Sequence, residues 1–228
     1  MSRQVGTRSS GSLSPRARVI FQAAGLLLNY PDDALIERLP LIEQAVAEVG
    51  ASSDFAPVFA HLRRLPLMEA QSWHVQEFDL SRRHALHLTY WTDGDTRRRG
   101  EVLASIKQTY RDSGLVVDLD GELPDHLPMV LEFAATGDPM LGLGILNRYR
   151  ASLELLRLGL EKDDLPHASL VAAICRELGG ASPETTEQVR ALLQGPPAET
   201  VGLGAEPVLL PYPGVRPSDH PAEMRSHS

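Results

Sequence analysis

Apolar positions recur at helical spacing along most of this chain. Ser14-Pro15 is a capping residue followed by proline at the first helical position. Val19, Ile20, Ala23, Leu26, Leu27 and Tyr30 then mark one helical face, which Pro31 ends. A second helix is predicted from Asp32-Asp33, with Leu35, Ile36, Leu39, Ile42, Val46 and Val49 inward, Gly50 as its stop, and a kink or break at Pro40. A third carries Phe55, Val58, Phe59 and Leu62. Pro66 separates it from a fourth containing Trp73, Val75 and Phe78. A short helix is expected through Leu86, Leu88 and Tyr90, before the turn signal Asp93-Gly94-Asp95. Residues 96–110 read as a helix stopped by Gly114, and 115–120 as a loop.

The segment 121–133 is the most distinctive stretch. Pro124 and Pro128 stiffen it, Glu122 and Asp125 make it acidic, and it runs directly into an apolar helix through Leu131 and Phe133. Asp125 follows a proline at a helix entry, where the dipole favours a carboxylate, so it is expected to cap that helix. Gly137-Asp138-Pro139 opens a leucine-rich run to Lys162, with Gly142 and Gly144 as a possible hinge. Further helices are expected from Pro166 to Leu178, closed by Gly179-Gly180, and after Ser182-Pro183-Glu184. The expectation is an all-α, single-domain helical bundle over 14–195, between disordered segments at 1–13 and 196–228, the second rich in Pro and Gly.

Length and charge narrow the function classes. The chain has 228 residues, enough for a real core. Its formal net charge of -8 disfavours a general nucleic-acid binder. A single cysteine, Cys175, sits among apolar residues and reads as a buried thiol in a reducing compartment. Arg3, Arg8, Arg16 and Arg18 precede the apolar stretch 19–28, as in a signal peptide. Gln22 interrupts that stretch, however, and no small-residue cleavage site follows, so a cytoplasmic protein is expected.

Catalytic signals are weak. His84 and His87 stand at i, i+3, and with His126 they could form the core of a metal-dependent enzyme, but no third ligand has metal-site spacing. Asp125-His126 invites an acid–base reading, yet neighbours on a helix do not face each other. The run Arg97-Arg98-Arg99 could hold an anion at a helix start, or simply face solvent. No nucleotide-binding fingerprint appears. Aromatics and leucines beside acidic, proline-stiffened loops are instead what a peptide groove needs.

Four stretches resemble a known family. They are Leu26-Leu27-Leu28-Asn29-Tyr30-Pro31; Val75-Gln76-Glu77-Phe78-Asp79 with Arg82-Arg83 and Leu86-His87-Leu88; Gly94-Asp95-Thr96-Arg97 with Arg99-Gly100 and Leu103; and Glu122-Leu123-Pro124-Asp125-His126-Leu127-Pro128 leading into Leu131-Glu132-Phe133. In this order they are similar to the nitrate reductase molybdenum cofactor assembly chaperones, the NarJ or delta-subunit group of the TorD-like redox-enzyme chaperones. The chain departs from the family's usual pattern at His74, at Glu77 and at Leu165-Pro166-His167.

The resemblance implies a non-enzymatic cytoplasmic chaperone, a monomer or a domain-swapped dimer, with no stably bound cofactor, since the molybdenum cofactor belongs to the client. Its partner would be the N-terminal segment of the apo catalytic subunit of respiratory nitrate reductase, held until the cofactor is inserted and before membrane docking. Another molybdoenzyme is the alternative client. The implied client-binding residues are Phe78, Leu86, Leu88 and Phe133 as apolar contacts, Asp79, Glu122 and Asp125 as acidic ones, and His87, Leu123, Pro124 and His126 beside them.

Overall fold

A computed structural model describes residues 13–94, 96–119 and 121–194. Among these residues eleven α-helices follow in order: α1 Pro15–Leu28, α2 Asp33–Glu48, α3 Ser52–Arg64, α4 Leu67–His74, α5 Tyr90–Asp93, α6 Arg97–Asp112, α7 Leu127–Thr136, α8 Pro139–Arg148, α9 Arg150–Lys162, α10 Ala168–Glu177 and α11 Thr186–Gln194. A π-helical turn, Val75–Asp79, extends α4. Among the described residues there is no strand, only an isolated antiparallel bridge between His87 and His126. The fold is all-α as expected. The disorder expected for 1–13 and 196–228 falls outside the described residues, except at Leu13, whose side chain is buried in the core.

The caps follow the sequence signals. Ser14 Oγ accepts from Ala17 N at 3.0 Å, and Asp32 Oδ1 from Leu35 N at 2.7 Å. Asp138 Oδ1 accepts from both Met140 N and Leu141 N. Each cap satisfies amides that a helix start leaves without an intrahelical partner. Helix α2 continues through Pro40 rather than breaking. Pro40 lies on the exposed face, where the carbonyl it leaves unbonded can be hydrated.

Helix α1 is the central element. It buries Ile20, Phe21, Ala24, Leu27 and Leu28 and packs against α2, α7 and α10. Its closest approach is to α7: a Cβ on Gly25 would stand 3.1 Å from Pro128 O. Arg18 Nη1 donates to Ala135 O at 2.8 Å, satisfying a carbonyl at the end of α7. Helix α10 joins α1 to α3 and α9, and α11 lies on α9.

The run expected from 139 to 162 is two helices, α8 and α9, joined at buried Tyr149. Gly142 is a contact rather than a hinge element, since a Cβ there would lie 2.4 Å from Ala134 Cα on α7. Gly142→Ala is therefore expected to cost about 2–3 kcal/mol through forced separation of α7 and α8, after any gain in helix propensity. Urea unfolding measures it, and a variant within 0.5 kcal/mol of the parent, roughly the range of neutral surface changes, refutes the contact.

One charged network is buried. Glu154 on α9 is fully enclosed and accepts from Arg157 Nε at 2.7 Å, Arg150 Nη2 at 3.1 Å and Ser182 Oγ at 2.9 Å. It thereby holds the segment after α10 against α9. Cys175 is buried beside it; burial, with the Glu154 charge, pushes its thiol pKa up to about 12. Such a thiol is a small apolar filler rather than a nucleophile.

Candidate functional site

The two most distinctive sequence segments meet in space. The stretch expected as a short helix through Leu86, Leu88 and Tyr90 becomes helical only at Tyr90, because its first part pairs with the segment before α7. Leu88 N donates to Asp125 O at 3.1 Å and Leu127 N to Leu86 O at 2.9 Å, on either side of the His87–His126 bridge. A partner 39 positions away in the chain overrides the local helical pattern. Tyr110 on α6 donates its hydroxyl to Pro124 O at 2.8 Å and sets its ring edge-on to Phe133.

Asp125 is the hub of this clip, not a cap. Helix α7 starts from His126 without a side-chain capping bond. The Asp125 carboxylate is fully buried and turns to Thr89, accepting from its amide at 2.9 Å and its hydroxyl at 2.6 Å. Thr89 Oγ1 in turn accepts from Arg99 Nε at 3.1 Å. His87 Nδ1 stands 3.3 Å from Asp125 Oδ1, within ion-pair distance but without hydrogen-bond alignment. Burial pushes the Asp125 pKa upward, but His87 and the two Thr89 donors outweigh it and hold the carboxyl below its usual range.

A trough runs along the clip in two lobes that share Asp79, Glu122 and His126. The larger, of about 570 Å³, is floored by Leu26, Leu35 and Met129 and rimmed by Asp79, Asp118, Glu122 and Glu132, with Arg38 as its basic residue. The smaller, of about 370 Å³, has Phe78, Leu86 and Tyr90 in its walls beside Arg82 and Arg99. The π-turn matters here. Its wider turn, with Leu80 N reaching back to Val75 O, buries Phe78 and leaves exposed Asp79 where both lobes meet.

The expected site residues divide by burial. Asp79, Glu122 and Leu123 are exposed, and His87 and His126 half-buried. Phe78, Leu86, Leu88, Pro124, Asp125 and Phe133 are buried. Of these, Phe78 and Leu86 reach a trough wall, whereas Leu88, Asp125 and Phe133 act only from beneath. Sequence reasoning missed Tyr30, Arg38, His74, Met129 and Glu132 as lining residues. Tyr30 and Glu132 stand in matched stretches; the others are placed by the packing of α2, α4 and α7.

Buried histidines underlie the trough. His167 stacks on Trp73 with ring centroids 5.2 Å apart and meets Phe78 edge-on at 5.1 Å. Its Nε2 lies 3.3 Å from Leu27 O. Burial, with His61 and His74 nearby, drives its pKa down to about 3. His126 falls to about 4, from burial first and then the His87 charge. His61 and His74 are also lowered by burial.

His84 is engaged elsewhere, with Nδ1 3.2 Å from Glu77 Oε2 and Nε2 3.1 Å from Asp163 Oδ2. It is separated in role from His87 and His126, which face each other across the bridge. Among the described residues no group of three His, Cys, Asp or Glu side chains is arranged to hold a metal ion.

Comparison with known proteins places this architecture. The family model described as nitrate reductase delta subunit matches residues 37–173, which include three of the four stretches quoted above. The chain is 42% identical over 160 residues to the nitrate reductase-like protein NarX of Mycobacterium tuberculosis, covering 69% of this chain and 24% of that protein. It is 30% identical over 167 residues to the probable nitrate reductase molybdenum cofactor assembly chaperone NarJ of Bacillus subtilis, covering 71% of this chain and 89% of that one. In fold it is similar to a redox enzyme maturation protein from Archaeoglobus fulgidus, with a TM-score of 0.55 at 15% identity, over 79% of this chain and 100% of that one. The chain belongs to the nitrate reductase delta subunit family.

Proposed function

We propose that this protein is a cytoplasmic chaperone of nitrate reductase assembly. It binds the apo catalytic subunit through that subunit's N-terminal segment and keeps it competent for molybdenum cofactor insertion before membrane docking. The cofactor belongs to the client and the chaperone holds none. Support comes from relatives named as nitrate reductase molybdenum cofactor assembly chaperones. No helix of the described residues is long and apolar enough to cross a membrane.

The observation that carries the reading is the acid-rimmed trough with an apolar floor. An amphipathic client helix can lay its apolar side on Leu26 and Met129, while Asp79, Glu122 and Glu132 meet basic side chains along its edge. Leu88, Asp125 and Phe133 lie beneath this rim and hold it in place without touching the client.

Co-purification with the apo catalytic subunit tests the function, since deleting the client's N-terminal segment is expected to abolish capture. Calorimetric titration with the isolated N-terminal peptide tests the site. Reversing both rim charges, Asp79→Lys with Glu122→Lys, is expected to weaken binding at least about tenfold, with most of the salt dependence lost. Unchanged affinity in the folded double variant would exclude the trough as the client site.

A further inference from the structure

A separate cavity of about 490 Å³ opens between α3 and the start of α10, and none of its lining residues borders the trough. Helix α10 begins at its wall. His167 at the N-cap gives no side-chain capping bond, and the amides of Ser169 and Leu170 meet no acceptor among the described residues. These are the donors that make a helix start an anion site.

Independent of that terminus, His61 on α3 lines the same cavity. It is only 7% exposed, yet its ring makes no hydrogen bond, and Nε2 is buried without a partner. A polar group so enclosed ordinarily has one. Arg64, one turn further along α3, stands exposed at the cavity with no ion pair among the described residues. Its charge is close enough to His61 to add to burial in lowering the imidazole pKa. Two sources of positive potential, the α10 amides and Arg64, therefore lie at the cavity beside a neutral imidazole that can donate one hydrogen bond.

We propose that this cavity binds a phosphorylated small molecule, its phosphoryl group held by the first-turn amides of α10, by Arg64 and by His61. The cavity exceeds the needs of a bare anion and lies in the size range of small-molecule sites. Pro57, Ala60, Leu165 and Pro166 supply apolar walls for the remainder of the ligand. Asp164 also lines the cavity and opposes the anion, which gives the proposal a signed control. Its backbone φ is +52°, a conformation asparagine adopts readily, so Asp164→Asn removes the charge with the turn kept.

The test is an amide and imidazole NMR titration of the full chain at constant ionic strength, using inorganic phosphate and phenyl phosphate as probes. Saturable shifts confined to Ser169, Leu170 and His61 are expected, with phenyl phosphate binding about threefold or more tighter than phosphate. Arg64→Glu is expected to weaken binding about tenfold and Asp164→Asn to tighten it. Bound anion is also expected to raise the His61 pKa. Non-saturating shifts scattered over other arginines would mean an adventitious ion only and overturn the site. Equal affinity for both probes would overturn its assignment to a phosphorylated small molecule.

Discussion

Asp125→Ala is expected to lower the unfolding free energy by about 3–5 kcal/mol, because it strands two enclosed Thr89 donors and removes the side-chain hydrogen bonds that hold Thr89 to the α7 entry. The carboxylate is fully buried and accepts from both Thr89 groups. Asp125→Asn keeps an acceptor oxygen for one of them and should lose only about 1–2 kcal/mol, and Thr89→Val a similar amount. Urea denaturation of the three variants decides the matter. If Asp125 instead touched the client, Asp125→Ala would leave stability untouched and weaken peptide binding alone.

Stability is also expected to fall steadily below pH 6.5. His126 and His167 have folded-state pKa values of about 4 and about 3, depressed chiefly by burial. Unfolded histidine titrates near 6.5, so between these values the unfolded chain binds more protons than the folded one. Their stabilisation is complete above about pH 6.5 and is lost as pH falls toward the folded-state values. At about 1.4 kcal/mol per unit, each removes roughly 3 kcal/mol by pH 4, and together they approach the whole stability of a typical domain. His61 and His74 shift the same way. Asp125 adds a further loss at more acid pH, as its depressed carboxyl protonates. Calorimetric unfolding near pH 5 should show uptake of about two or more protons, seen as a dependence on buffer ionisation heat. His167→Gln should flatten the profile. A stability curve level from pH 7 to pH 4.5 would show that these rings are solvated.

The helices were legible because their signals are local. Ser14, Asp32 and Asp138 cap where their side chains are expected to, and the faces of α1 and α10 follow the apolar spacing. The site was legible only as two segments worth joining. Leu86, Leu88 and Tyr90 read as one helix because nothing within the segment reports the pairing of His87 with His126. The π-turn at 75–79 leaves no pattern that distinguishes it from ordinary helix, although it decides that Phe78 is buried and Asp79 exposed. The same limit explains Asp125. Its position after Pro124 predicts a cap, whereas Thr89, 36 positions earlier, supplies donors that compete for the carboxylate. Phe133 likewise meets Tyr110 of α6, a contact that no periodicity encodes.

The chain carries only two tryptophans, and the fold sets both against walls of the smaller lobe. Trp73 stacks on His167 and packs against His61, in the wall of the separate cavity, and Phe78, in the wall of the smaller lobe. Trp91 hydrogen-bonds Ala85 O beside the Tyr90 wall of that lobe. The native protein thus contains its own pair of optical reporters. An occupant of the smaller lobe should alter the emission of both, one confined to the cavity beside α3 that of Trp73 alone, and single Trp→Phe variants separate the two without any attached dye.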